Sequence, residues 1–278
     1  MLKTILITGA TDGIGLETAK MLVSQGHKVL LHGRNPAKLE KVAKDLAALP
    51  GDGQVESYQA DLSRMDEVEG LAKEVAEKHA RIDVLINNAG VFLVADPLTQ
   101  EGLDVRFVVN TLAPYLLTKL LLPLLGTSGR VVNLSSAAQV RVNPEALTGR
   151  VELADDMSAY AQSKLALTMW SRVMGLEFKE SGPVIVAVNP GSLLASKMMQ
   201  EAFGVPGKDI RIGADILCRA ALADEFATAS GQYFDNDAGR FSSPHADALN
   251  PKKSEGVVHV IESVLAEITG KKLFFKKG

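Results

Sequence analysis

The 278-residue chain carries 30 Lys and Arg against 33 Asp and Glu, a net charge of −3. With a pI near 6.0 it has no overall electrostatic pull toward nucleic acid. Its 46% apolar content suits a globular protein of one large α/β domain or two small ones. The single cysteine, Cys218, has no second thiol for a bridge or a metal site, so no metal centre is expected and a reducing, cytoplasmic compartment fits.

The first apolar run, Thr4-Ile5-Leu6-Ile7, reads as a buried strand near 3–8 and is too short for a leader or a span. It ends in Thr8-Gly9-Ala10-Thr11-Asp12-Gly13-Ile14-Gly15 and opens a helical pattern over 14–25. A strand, a glycine turn and a helix N-terminus make a phosphate site. Glycines let the backbone approach a pyrophosphate, and the helix offers free N–H groups at its positive end. Gly9, Thr11, Asp12, Gly13, Ile14 and Gly15 are the candidate contacts.

A second strand near 28–32 closes on His32-Gly33-Arg34-Asn35. An acid there would bind an adenosine ribose and repel a 2′-phosphate. Gly33 and Arg34 offer room and a cation instead, which favours NADP(H) and leaves NAD(H) open. The next helix, over 36–48, puts Leu39, Val42, Ala43 and Leu46 on one side. After a strand near 54–59, Asp61 and Leu62 stand where a carboxylate could meet an adenine amino group or cap the following helix, 65–79. A fourth strand near 82–87 closes on Asn87-Asn88-Ala89-Gly90, whose amides can bind backbone or cofactor.

A helical stretch over 101–125 carries Asn110, suited to ordering water or backbone. Its apolar part, Leu112–Leu125, is broken by Pro114, Thr118, Lys119 and Pro123 and falls short of the roughly 20 residues of a membrane span. The strand near 129–135 ends at Ser136, whose hydroxyl can stabilise charge on a carbonyl oxygen. After a long polar interruption, 137–158, a helix over 159–180 sets Tyr160 and Lys164 on one face. A phenol is a poor base at neutral pH, and a neighbouring ammonium favours phenolate. A phosphate site upstream and a proton-moving pair downstream suggest hydride transfer.

A strand near 183–189 leads to Asn189-Pro190-Gly191. The segment that follows, 192–212, carries Leu193, Leu194, Met198, Met199, Phe203 and Val205, with Gly204, Pro206 and Gly207 as hinge positions. These side chains are apolar and flexible. A helix over 213–223 and a strand over 231–234 follow, then a polar stretch, 235–253, and a last helix, 254–269. The basic end, Lys271 to Lys277, reads as a solvated tail, and membrane contact is not expected.

Strands such as Val84-Leu85-Ile86 and Val184-Ile185-Val186-Ala187-Val188 are apolar without alternation, as a sheet covered on both faces requires. The alternation of elements predicts one doubly wound parallel α/β sheet of about seven strands with helices on both faces. The whole chain, 1–278, then forms a single domain with a C-terminal extension over 235–278.

In this order the motifs resemble the short-chain dehydrogenase/reductase family. The match runs from Lys3 to about Gly191 through the glycine turn, Asp61-Leu62, Asn87-Asn88-Ala89-Gly90, Asn110, Ser136, Tyr160/Lys164 and Asn189-Pro190-Gly191. The resemblance implies a Rossmann-type domain, NAD(P)-dependent oxidoreduction and an Asn110–Ser136–Tyr160–Lys164 tetrad. It also implies cofactor contacts at Asn88, Ala89, Gly90, Tyr160, Lys164, Pro190, Gly191, Ser192 and Leu193, and a homodimer or homotetramer. In the fold it implies, 137–158 and 192–212 are active-site loops that, with Phe92 and Leu93, flank the nicotinamide end and suit a small lipophilic carbonyl compound or alcohol better than a sugar.

The long step from Ser136 to Tyr160 looks like the retinol-dehydrogenase-like and protochlorophyllide-reductase-like branch. Asn88-Ala89-Gly90-Val91 and Gly231-Gln232-Tyr233-Phe234 are similar to it too. Three departures stand out. Asp12 occupies a position that is basic in many NADP-preferring members. The usual threonine near Ala195 is missing, leaving Ser192 or Ser196 for the nicotinamide amide. Ser135 adjoins Ser136, and the family pattern selects Ser136. The expected activity is NADPH-preferring interconversion of an apolar carbonyl compound and its alcohol, with Tyr160 exchanging the proton. Reduction of a C=C bond conjugated to a carbonyl is the enzymatic rival. A nucleotide-binding regulatory protein without turnover is the other, and the intact tetrad argues against it.

Overall fold

The computed structural model describes residues 2–195, 204 and 207–271. Its strands are β1 (Thr4–Ile7), β2 (Lys28–Gly33), β3 (Gln54–Gln59), β4 (Val84–Asn87), β5 (Arg130–Leu134), β6 (Val184–Asn189), β7 (Tyr233–Asp235) and β8 (Arg240–Ser242). They form one sheet in the order β3-β2-β1-β4-β5-β6-β7-β8. Every pair from β3 to β7 is parallel, and β8 runs antiparallel to β7. The winding reverses between β1 and β4. In an open α/β sheet, a ligand crevice lies at that reversal, beyond the carboxyl ends of the strands.

The helices are α1 (Gly13–Ser24), α2 (Pro36–Ala47), α3 (Met65–Lys78), α4 (Val105–Leu125), α5 (Pro144–Leu147), α6 (Asp156–Glu177), α7 (Arg211–Leu222) and α8 (Pro251–Thr269). They cover the sheet on both faces, so the central strands β1 and β4 are apolar without alternation and each face has its own core. Ile5, Leu31, Ile86 and Val186 pack with Leu22, Leu39 and Ile216 on one side. Leu6, Leu30, Leu85 and Ile185 pack with Val68, Leu116, Trp170 and Ile261 on the other.

The sheet has an eighth, antiparallel strand where about seven parallel ones were predicted. The chain reverses through Asn236–Gly239, with Gly239 at φ +66°. Phe241 of β8 meets the Phe226 and Phe234 rings at 5.2 and 5.1 Å. Three residues with one apolar side chain carry too little periodicity to show as a strand in the sequence.

The polar stretch read as a loop over 137–158 gains a short helix, and the last helix read over 254–269 forms as Pro251–Thr269. The 137–158 stretch contains α5, with Val142, Ala146 and Leu147 buried. Helix α8 buries Val257, Ile261, Val264 and Leu265, and Tyr115 Oη donates to Glu262 Oε1 at 2.7 Å. Helix α4 runs unbroken through Pro123, which sits in its last turn. At 21 residues it is long and apolar enough to cross a bilayer, yet 72% of its apolar window is buried inside the protein. It is a core helix.

Candidate active site

The glycine turn is bare because nothing larger fits. Gly9 and Gly13 have φ of +64° and +57°. A Cβ on Gly9 would come within 2.9 Å of Ala89 Cα, and one on Gly15 within 2.4 Å of both Gly9 O and Asn88 Nδ2. The Asn88 side chain serves the backbone, donating to Thr8 O at 2.9 Å and Gly9 O at 3.1 Å. Thr8 Oγ1 returns the tie by accepting from the Asn88 and Ala89 amides.

His32 completes the floor and carries a role the sequence did not reveal. Its Nδ1 accepts from Gly9 N at 3.1 Å, and its Nε2 lies 3.0 Å from Ala60 O. The first bond requires a bare Nδ1, so the proton sits on Nε2 and is donated to the carbonyl. Burial pushes its pKa down to about 4. The only sequence signal for this bridge is a lone histidine at the end of β2.

A cavity of about 660 Å³ runs from this floor, over the strand ends, to the Tyr160 helix. At one end it is lined by Asp12, Arg34, Asn35, Lys38, Asp61 and Leu62. Asp12 caps α1 by accepting from Gly13 N at 2.8 Å, and its other oxygen pairs with Lys38 Nζ. Asn35 caps α2 by accepting from Lys38 N at 2.9 Å. Asp61 Oδ1 accepts from Ser63 N and Oγ at 2.9 and 2.8 Å. One of its oxygens is thus spent on the turn before α3, while the residue still faces the cavity.

At the other end stand Ser136, Tyr160 and Lys164. Lys164 Nζ donates to Leu134 O at 2.7 Å and lies 5.6 Å from the centre of the Tyr160 ring. The Phe92 ring meets the Tyr160 ring at 5.0 Å. Ser135 faces away, its hydroxyl 2.6 Å from Thr168 Oγ1 on α6, so Ser136 is the serine beside the phenol. Asn110 lies behind the wall in a π-turn, Val108–Leu112. Its Oδ1 accepts from Val91 N, and its Nδ2 donates to Val91 O and Ser163 Oγ. It orders backbone and does not line the cavity.

The expected phenolate is not what this geometry favours. Burial raises the Tyr160 pKa, and the Ser136 hydroxyl only partly opposes it. Burial also lowers Lys164 to about 8. Desolvation penalises both charged forms.

Beyond β6, Gly191 (φ +119°) turns the chain into a strap, Ser192–Ala195. Asp237, from the β7–β8 turn, holds it. Its carboxylate accepts from Ser192 N at 2.9 Å, from Ser192 Oγ at 2.6 Å and from Asn189 Nδ2 at 3.0 Å. Burial pushes the Asp237 carboxyl up, but these bonds outweigh it and leave the pKa below its usual value. The Ser192 hydroxyl is therefore committed to Asp237. Leu193 sits at φ +58°, rare for a side-chain-bearing residue. Leu194 is buried. Pro190, Gly191, Ser192 and Leu193 line the cavity. Ser196, Met198, Met199, Phe203, Val205 and Pro206 lie outside the described residues.

A crevice at the sheet's reversal, ending at a half-buried phenol and a buried ammonium, defines a Rossmann-type oxidoreductase. The family described as short chain dehydrogenase matches residues 3–204. Human retinol dehydrogenase 13 is 32% identical over 263 residues, 88% of this chain and 80% of that one. The chloroplastic short-chain dehydrogenase TIC 32 A of Brassica napus is 29% identical, covering 83% of this chain and 79% of its own length. A short chain dehydrogenase from Shigella flexneri, complexed with NADP, matches at a TM-score of 0.66 and 29% identity, over 84% of this chain and 97% of that one. This chain belongs to the short-chain dehydrogenase family, as its ordered motifs foretold.

Proposed function

We propose that the protein is an NADPH-preferring reductase of apolar carbonyl compounds, with Tyr160 as its proton donor. One observation carries the reading. A single cavity joins the glycine turn and Arg34 to Tyr160, Ser136 and Lys164. The residues fit a dinucleotide. Bare backbone at Gly9 and Gly15 and the α1 N-terminus suit the pyrophosphate, Arg34 suits a 2′-phosphate, and Asp61 and Leu62 suit adenine. Lys164 suits the ribose beside the nicotinamide.

The reduced cofactor, when bound, supplies hydride to the carbonyl carbon. Tyr160 Oη gives its proton to the carbonyl oxygen, and Ser136 Oγ donates a hydrogen bond to that oxygen as charge develops. The raised Tyr160 pKa keeps the phenol protonated through neutral pH, which suits reduction. Lys164 stands beside the phenol to balance its charge once the proton has left. Phe92 packs on the Tyr160 ring and shields this step from water.

Apolar side chains at the mouth support a lipophilic substrate. Leu93, Met157 and Leu193 line the cavity and are each more than two-fifths exposed. The relatives named retinol dehydrogenase act on such an alcohol by name. The test is NADPH oxidation with apolar aldehydes and ketones against polar sugars and dicarboxylates. Turnover confined to the apolar set is expected, and absence of turnover with every carbonyl would overturn the reading.

A further inference from the structure

We propose that Asp12 and Lys38 set cofactor selectivity as an exchangeable ion pair. Lys38 leaves Asp12 for the adenosine 2′-phosphate, and Asp12 opposes the exchange. The proposal rests on the NADPH reading given above and explains an acid where a base would be expected. Lys38 lies in the first turn of α2, which Asn35 caps. Its ammonium reaches back across the cavity's adenosine end to the Asp12 carboxylate on the glycine turn. The two side chains are 47% and 57% exposed. An exposed pair of this kind is weak and screened by salt, so little is lost in breaking it.

Around this pair the residues suit a phosphate better than a bare ribose. A Cβ on Gly33 would come within 2.5 Å of Thr11 Cγ2, so no ribose-binding acid can replace that glycine without displacing Thr11. Arg34 makes no hydrogen bond or ion pair among the described residues and is exposed at the same rim. A phosphate monoester brings a charge of about −1.5 to −2 and three acceptor oxygens. It competes for Lys38 better than one carboxylate does, helped by the positive end of α2. NADH brings no such group, so Lys38 stays on Asp12 and contributes nothing to its affinity. Asp12 then acts as a brake: it draws Lys38 away and repels the same phosphate.

Equilibrium binding of NADPH and NADH to the wild-type protein, Lys38→Gln, Asp12→Asn and the double variant, at one ionic strength, tests this. Asn is as good an α1 cap as Asp, so the second variant removes the charge and keeps the helix start. Lys38→Gln is expected to weaken NADPH about tenfold or more and to leave NADH nearly unchanged. Asp12→Asn is expected to tighten NADPH alone. Lys38→Gln should still weaken NADPH when Asp12 is already Asn. Equal effects on both cofactors would overturn the proposal. So would full recovery of NADPH affinity in the double variant, since Lys38 would then only screen Asp12. A wild-type protein that binds neither cofactor overturns the functional reading and this inference with it. One that binds both, with a ratio insensitive to Lys38, removes this inference and leaves the functional reading standing.

Discussion

Acidification should loosen the cofactor end of this protein through His32. The imidazole is 3% exposed and ties Gly9 N to Ala60 O. Protonation would place a second N–H against the Gly9 amide, so the bridge cannot survive it. The folded value near 4 lies below the 6.5 of a free histidine, and at ~1.4 kcal/mol per unit the gap is worth about 3 kcal/mol. The unfolded chain binds the proton first on acidification. The stabilisation is therefore complete above pH 6.5 and is lost as the pH falls toward 4. Urea unfolding across that range, with wild-type protein and His32→Gln, isolates the contribution from that of the carboxylates. Wild type should lose about 3 kcal/mol more than the variant. Equal pH slopes would refute a neutral, buried His32.

Gly15→Ala must push a methyl against Gly9 O and Asn88 Nδ2. It should cost about 1–3 kcal/mol in urea unfolding and abolish NADPH binding by titration. Ser136→Ala should lower kcat by about 10²–10³-fold in steady-state assays. Ser135→Ala, which loses only the tie to Thr168, should cost about 1 kcal/mol of stability and far less rate. Asp237→Ala releases Ser192 and Asn189 and should lower unfolding free energy by about 1.5–3 kcal/mol, whereas Asp237→Asn should lose less.

The sequence showed the site's order and hid its cross-links. The glycine turn, Asn110, Tyr160 and Lys164 were legible because each sits at a fixed step from the end of a strand or within a helix. Lys38, His32 and Asp237 were not, because each acts through a partner 26, 23 or 45 residues away. No local pattern records such pairings. Tyr160 failed differently. Its i,i+4 lysine is visible in sequence, but the desolvation that raises the phenol depends on how Phe92 and the surrounding core close over it. Strand β8 was lost in a stretch rich in Asp, Asn and Ser, where a turn and a three-residue edge strand look alike.

In the proposed reaction Tyr160 delivers the proton while the rest of the cavity holds the cofactor. Single-turnover reduction of an apolar aldehyde by NADPH with Tyr160→Phe, alongside NADPH affinity for the same variant, tests it most directly. The ring keeps its packing on Phe92 and loses only its hydroxyl. A rate lowered by about 10²–10⁴-fold, with NADPH affinity unchanged, is the predicted result. A near-wild-type rate would contradict the claim and send the search for the proton donor elsewhere in the cavity.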